Sequence, residues 1–529
     1  SYSLQNYNLK ISGLYGKISY LASLNHFLSD GFREHSSAKS TLLNSFLDIK
    51  LSANFKLKVL INYFTSPYLL NPGSLTKPDS ELNPRFARQI NKNHGTGEKV
   101  SQAQIGIFSE IKFQNDFSNK TTFYLLNRSL LNPIPGRIIE LNRIVAGGRT
   151  LFNKSLLLGS STLKVQTGLD FETQHDIRKE FINEGLQEQN VSPENIFNKL
   201  KYGNQLIDQV EQVTGFGPFA LLEYWISNNW AVISALRYDN YFFKVFDKFL
   251  PDGVDSGTRI IKNISPMAGL LFQPNKLIKI YTNYTTSFQT PTTNELSNSP
   301  SGRGGFNPSL NPEKIKNIEI GISGYLNNFT FQSALFLIDF DELLISYQLE
   351  NSDEIFFRNS GKARNKGIEI SLKWIPCSQL TMAAAYTFME FRYTDYLVEV
   401  RDSNSSSSIQ LRDHYVPGIP KNILFTEIRY KFINNFFVEI SFQFVDKYFV
   451  NDFNNEKEVV DSFNNSYLLL DALAGFNFNI NSYNAGLYLG VNNLTDKRYN
   501  ASIVPNAAGQ RYFEPASDRN WYLKIEINL

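Results

Sequence analysis

Residues 102–114 read QAQIGIFSEIKFQ. In an extended chain, Ala103, Ile105, Ile107, Ile111 and Phe113 fall on one face, and Gln102, Gln104, Glu110, Lys112 and Gln114 fall on the other. A period of two is the mark of a β-strand with one apolar and one polar side. The pattern recurs. Over 466–480, Leu468, Leu470, Ala472, Ala474, Phe476, Phe478 and Ile480 share a face. Over 518–529, Trp521, Leu523, Ile525, Ile527 and Leu529 oppose Asn520, Tyr522, Lys524, Glu526 and Asn528. Residues 368–374 alternate Ile, Glu, Ile, Ser, Leu, Lys, Trp. Helical spacing is rare, and the segment 180–205, rich in Glu, Gln and Lys, is the one that reads as helix.

A soluble β-sandwich also alternates, so the apolar side needs an owner. Three observations decide it. The strands often run ten or more residues, where soluble strands average about five or six. The connections alternate in length. Short ones fall near 14, 54, 116, 157, 228, 275, 327, 377, 434 and 482; long polar ones span 67–100, 179–207, 246–258, 289–313, 398–413, 451–465 and 501–517. The polar faces carry charge on strand after strand, which two packed sheets could not bury. Apolar-out, polar-in strands with short turns at one end and long loops at the other describe an all-β transmembrane antiparallel β-barrel.

Composition agrees. The chain of 529 residues holds 43 Phe and 27 Tyr, enough for aromatic girdles at both membrane interfaces. No stretch approaches the roughly 18 apolar residues of a spanning helix. A formal charge of +2 gives no support to nucleic-acid binding. The single cysteine, Cys377, excludes an internal disulfide and sits in an expected turn. No charged-then-apolar leader opens the chain. There is no Gly-x-Ser-x-Gly, phosphate loop or paired-cysteine metal site, and His26 beside Ser23 is a poor match for a lipid-rim hydrolase, so no enzyme is expected.

An Asn-Asn-aromatic element recurs in LNNFTF (326–331), SNNW (227–230) and INNFF (433–437). Asn tolerates the positive φ of a tight hairpin, and the aromatic opens the next strand at girdle depth. About 21 strands can be drawn, among them 329–346 and 356–376. Single-chain bacterial barrels normally have an even number. The first strand, 1–13, would therefore lack a partner, and an open or strained seam beside 518–529, with an empty lumen, is expected.

Five stretches, in order, resemble the TonB-dependent outer-membrane receptors: SFQTPTTNEL (287–296), NPSLNPEKIKNIEIG (307–321), RNSGKARNKGIEISL (358–372), VPGIPKN (416–422) and GVNNLTDKRY (490–499), followed by the closing strand DRNWYLKIEINL. Physically, Pro308 and Pro312 keep a loop out of the ladder. Gly361 and Gly367 permit bends. Asn492, Asn493 and Asp496 suit Asx turns at a strand end. The resemblance implies a barrel of which residues 1–529 are one domain holding about 21 of 22 strands. The family's N-terminal plug domain and TonB box are expected to be absent. The family's usual C-terminal aromatic is replaced by Leu529.

The resemblance also implies a function. Such a protein resides in the outer membrane of a Gram-negative bacterium, among lipid and lipopolysaccharide. It binds and imports a small metal chelate, with energy from the TonB complex reached through the missing N-terminal region. Stretches 29–51, 68–76 and 127–143 are similar to ferric-dicitrate-type receptors, which implies a ferric siderophore or ferric citrate. No cofactor is expected beyond the transported chelate. The alternatives are a passive porin-like channel and a structural outer-membrane component of a larger complex. Cationic loop side chains suit an anionic chelate, because guanidinium forks grip carboxylates bidentately. Arg33, His35, Arg85, Arg88, Arg303, Arg364 and Arg412 are the candidate ligand-binding residues. His35, His94 and His414 are not spaced as a metal-ligand pair, so no protein-bound metal is expected.

Overall fold

The computed structural model describes residues 2–297, 299–300, 305–349, 354–402, 405–433, 435–454, 462–481 and 483–528. Twenty-one strands, from Gln5–Tyr15 to Asn520–Asn528, make one antiparallel sheet in which each strand pairs with the next along the chain. The count agrees with the sequence reading. Smaller two-stranded sheets rise from the long loops: Leu344–Gln348 with Ile355–Asn359, and Leu397–Asp402 with Ser405–Gln410.

The two faces divide by polarity. Ile318, Ile320, Leu335, Leu236, Ile264 and Leu523 stand exposed on the outer face. Such a continuous exposed apolar belt is stable against hydrocarbon, not water. Backbone groups in that belt are satisfied strand to strand, as a non-aqueous surround demands. The opposite face carries the polar partners, among them Lys120 with Glu110 and Tyr281 with Glu319.

The short turns form one end. Leu326 pairs with Phe329 across Asn327, whose φ is 51°. Ile433 pairs with Phe436 across the INNFF turn, of which residue 434 lies outside the described residues. The SNNW connection is longer, with Ile226 N–H donating to Trp230 O. Outward rings stack at this end: Trp230 on Phe272 at 4.3 Å, Phe329 on Phe331 at 6.0 Å, and Phe113 on Phe117 at 5.1 Å. This is the expected aromatic girdle.

Ladder hydrogen bonds do not close the sheet. Each strand opposes its neighbour and the count is odd, so Gln5–Tyr15 and Asn520–Asn528 run the same way. No pairing joins them among the described residues. Both edge strands are exposed on both faces over most of their length. Loop contacts hold the two ends together instead. Leu75 bridges Phe513, and Arg85 pairs with Asp518 at 3.5 Å.

Three expectations need correction. Residues 180–205 are not a helix. Strand Ser161–Leu186 continues through the first part and Leu200–Trp225 begins in the last, leaving only the 3-10 turn Pro193–Lys199. The Glu- and Lys-rich composition there serves cross-strand pairing, not helix propensity. The expected strand 329–346 stops at Asp341, because Glu342 adopts a φ of 62°. The expected strand 356–376 starts its barrel course only at Lys362, after Gly361 turns the chain at φ 79°. A separate hairpin fills the loop between them. Cys377 ends strand Lys362–Cys377 next to the turn, and is exposed.

Candidate functional site: an outer vestibule roofed by loops

The strands Ser161–Leu186 and Leu200–Trp225 are 26 residues each, more than twice the 9–11 that cross a bilayer at a tilt. Their surplus lies at the long-loop end. Alternation places Gln174, Asp176, Arg178 and Glu180 on the inner face of the first, opposite Val213, Glu211, Gln209 and Ile207 of the second. Asp176, Gln209 and Glu211 are nevertheless fully buried (0 % exposed), because a loop covers them from inside.

That loop is 290–312. Its short helix Thr293–Ser297 seats on the charged wall. Ser297 Oγ donates to Glu211 Oε1 at 2.6 Å, and Gly305 N–H donates to Gln209 Oε1 at 2.9 Å. Arg178 donates to Asn294 Oδ1 at 3.0 Å. Beside these bonds, Leu296 and Leu310 bury against Phe243 and Ile261, and Phe306 meets Phe243 edge-on. Apolar packing and charge-assisted hydrogen bonds hold the loop inward together.

The wall behind it is an ion-pair chain. Arg143 grips Asp176 bidentately at 2.9 and 2.6 Å. Arg178 Nε lies 2.8 Å from Glu180 Oε1, and Arg137 reaches Glu180 at 2.7 Å and Glu354 at 3.0 Å. Burial raises the Glu354 carboxyl above its usual range, and Arg137 opposes the shift. Three arginines thus face four carboxylates, Asp176, Glu180, Glu211 and Glu354. Arg128 stands on the adjacent inward position beside Arg143, and its buried Nε finds no hydrogen-bond partner.

A cavity of about 500 Å³ opens between this wall and the loops. Arg178, Asn71, Asn132, Asn294 and Glu354 bring polar groups to it, and Leu130 and Leu141 supply apolar surface. Its size falls within the ~300–1,000 Å³ of small-molecule sites. Arg128 lies one inward step deeper than Leu130.

A second buried centre ties the remaining loops together. Asp452 is 1 % exposed. It accepts from Tyr393 Oη at 2.7 Å, Tyr396 Oη at 3.3 Å and Arg358 at 3.3 Å. Its N–H donates to Asn506 Oδ1, and its carbonyl lies 3.0 Å from His414 Nδ1. Burial pushes the Tyr396 hydroxyl well above its usual range, and the Asp452 charge adds to the shift. Four loops, its own included, meet at this one residue.

The residues singled out in the sequence lie at several places. Arg33 is buried and donates to Phe86 O and Gly73 O, pinning loop 30–37 to loop 71–96. Burial pushes its guanidinium down to about 10, with the Glu514 carboxylate opposing. His35 sits 2.9 Å from Thr96 O at φ 52°, and burial lowers its imidazole. Arg85 is exposed over Phe32 and pairs with Asp518. Arg88 caps the helix Gln89–Asn93, and its N–H donates to Pro72 O. Arg364 forks onto Asp339 at the loop end of its strand. Arg412 is exposed. Arg303 lies outside the described residues. The structure does not gather these side chains at the cavity. Among the described residues, no group of three His, Cys, Asp or Glu side chains is disposed to hold a metal.

Sequence reading missed Arg128, Arg137, Arg143, Arg178 and Asp452. For the wall the signal was present: in DFETQHDIRKE (170–180), the even-numbered positions read Asp, Glu, Gln, Asp, Arg, Glu, all on one face. No local signal marks Asp452.

The strand-end motif GVNNLTDKRY is well ordered. Asn493, at φ 53°, exchanges hydrogen bonds with Lys497, and Asp496 accepts from Arg519 N–H. These are not the two-residue Asx turns expected of Asn492, Asn493 and Asp496: Asn493 closes onto a residue four further on, Asp496 accepts from the start of the next strand, and Asn492 donates across the ladder to Asn520 Oδ1 at 3.0 Å.

Comparison with known proteins agrees with this architecture. The chain is 25 % identical over 308 residues to a probable TonB-dependent siderophore receptor, PiuA, of Acinetobacter baumannii. That alignment takes in 57 % of this chain and 39 % of the relative, less than two thirds of its length. Among solved structures, the unliganded ferric citrate transporter FecA matches with a TM-score of 0.79 at 16 % identity, covering 99 % of this chain and 76 % of that one. The crystal structure of PiuA from Acinetobacter baumannii matches at 0.76 and 16 %, covering 99 % and 79 %. The ferric-catecholate import receptor Fiu of E. coli K12, in its closed form, matches at 0.74 and 16 %, covering 99 % and 80 %. At those identities the structures speak for the fold. The profile of the family described as "TonB dependent receptor-like, beta-barrel" matches residues 12–494, most of the chain, and the chain belongs to that family.

Proposed function

We propose that the chain is the outer-membrane barrel of a transport receptor that binds a small ferric chelate and imports it with energy from TonB. The iron is cargo inside the chelate, and the protein does no covalent chemistry on it. The observation that carries this reading is the vestibule cavity of about 500 Å³, set between an arginine-bearing wall and inward-folded loops. Family membership supports a receptor, and the Acinetobacter relative, FecA and Fiu are all named for iron chelates or siderophores.

The charge balance bears on the ligand. Arg137, Arg143 and Arg178 are already matched by carboxylates, so a citrate-type polyanion would depend on Arg128, with the exposed Arg412 as a loop contributor. A less charged chelate would use the amides of Asn71, Asn132 and Asn294.

Equilibrium binding to the full-length protein tests this. Ferric citrate, a ferric catecholate and a ferric hydroxamate are titrated into wild type and an Arg128→Ala/Arg412→Ala double variant. A polyanionic ligand should lose about 1–3 kcal/mol per charge-assisted contact removed. Unchanged affinity for every ferric chelate in the variant overturns the assignment of these arginines. Tight binding of a sugar or a cobalamin, with no response to ferric chelates, overturns the iron reading.

A further inference from the structure

On the outer wall, two neighbouring strands, Phe117–Ile134 and Arg137–Leu158, carry an apolar groove of about 500 Å³. Its floor is Ala146 and Gly148, and its walls are Ile105, Phe123, Leu125 and Phe171. These are outward positions. Phe123 is 64 % exposed and Phe171 47 %, within the belt that faces hydrocarbon. The groove exists because position 148 has no side chain. A Cβ there would lie 2.7 Å from Thr122 O and 2.8 Å from the Phe123 ring.

The same outward line changes character toward the short-turn end. Below the groove, Thr121 and Thr150 hydroxyls sit 3.0 Å apart, and Asn119 donates to Thr150 Oγ1 at 3.0 Å. Thr121 Oγ1 also donates to Asn119 Oδ1 at 2.9 Å, so the three side chains bond one another and form a polar band across the outer face at this level. Next come the stacked rings of Phe117 and Phe152, 6.0 Å apart. The line ends at Lys154, partly exposed, which donates to Asn115 O at 2.5 Å. From Gly148 to Lys154 is six residues, about 20 Å of strand. Apolar groove, hydroxyl pair, aromatic ring and cation follow the order of an acyl chain, its ester and a phosphate in the leaflet on the short-turn side.

We propose that this groove seats one acyl chain of a glycerophospholipid, with its ester at Thr121 and Thr150 and its phosphate at Lys154. The inference rests on the membrane placement of the barrel and is independent of the cargo.

The test uses the full-length protein in nanodiscs of phosphatidylethanolamine and phosphatidylglycerol, each carrying a mid-chain diazirine. Crosslinked peptides are mapped, and lipid retained through mild delipidation is counted by native mass spectrometry. The seat predicts crosslinks concentrated on 121–125 and 146–150, and about one retained phospholipid per barrel. Ala146→Phe, or Ile107→Trp at the rim, should lower retention at least fivefold, and Lys154→Glu should lower it more for phosphatidylglycerol than for phosphatidylethanolamine. Heat-modifiable migration identifies variants that fold, and the wild-type map decides alone if none does. Crosslinks spread evenly round the barrel would leave only bulk lipid and overturn the seat. So would undiminished retention in the folded filled-groove variants, retention of detergent alone, or a dimer that buries the groove. A barrel that takes no crosslink anywhere would instead count against membrane placement.

Discussion

Ser297 Oγ donates a 2.6 Å hydrogen bond to Glu211 Oε1, joining a loop helix to a wall strand 86 residues away in sequence. The contact is buried on both sides, and with Leu296 it keeps loop 290–312 folded inward.

Ser297→Ala should therefore loosen that loop without unfolding the barrel. A hydrogen bond to a charged group is worth about 1.5–3 kcal/mol. Amide hydrogen exchange over 290–312 should accelerate by about one to two powers of ten, with strands Ser161–Leu186 and Leu200–Trp225 unchanged. Unaltered exchange would mean that Leu296 and Leu310 hold the loop unaided.

Asp452→Asn should disturb several loops at once. Removing one partner of a fully buried ion pair costs about 3–5 kcal/mol; Arg358 is 33 % exposed, so the loss here should fall below that range. Limited proteolysis should open cuts near Arg358 and Tyr396 together, because both side chains meet this carboxylate from different loops, while the contacts of His414 and Asn506 to the Asp452 backbone stay. Tyr393→Phe removes only one donor to the carboxylate, and should act more weakly at the same sites.

Loop 30–37 should release in acid. Burial lowers the folded-state pKa of His35 below its ordinary value near 6.5, so the unfolded or undocked loop binds the proton more readily. The docking contribution is complete above about pH 6.5 and falls as pH drops from there through the lower folded value. Protection of 30–37 and 71–96 against exchange should decline over that window, and His35→Gln should flatten the decline.

Arg85→Ala should barely change thermal stability. The Arg85–Asp518 pair joins the two ends of the sheet, but its side chains are 59 % and 31 % exposed. Exposed pairs contribute about 0–1 kcal/mol. A larger loss would show that this pair, and not Leu75 with Phe513, holds the seam.

The sequence by itself determined the barrel. A period of two over long strands is local information, and it assigned the outward face of 102–114, 368–374, 466–480 and 518–529 without reference to neighbours. Asn327, Phe329 and Phe331 made the turn and girdle legible for the same reason. Where composition replaced periodicity the reading failed: 180–205 looked helical because its Glu and Lys residues were judged one by one, while their partners stand on other strands.

The vestibule was decided by the tertiary structure. Arg33 reads as a free cation in sequence, yet carbonyls 40 and 53 residues on take its donors. Arg178 becomes part of a site only because curvature of the sheet and the fold of loop 290–312 bring Asn294 to it from 116 residues away. Asp452 is an ordinary loop aspartate until three other loops converge on it. Alternation is set by backbone geometry, residue by residue. Which charges meet inside a barrel is set by how the sheet curves and where its longest loops find apolar surface to bury, and that depends on the whole chain at once.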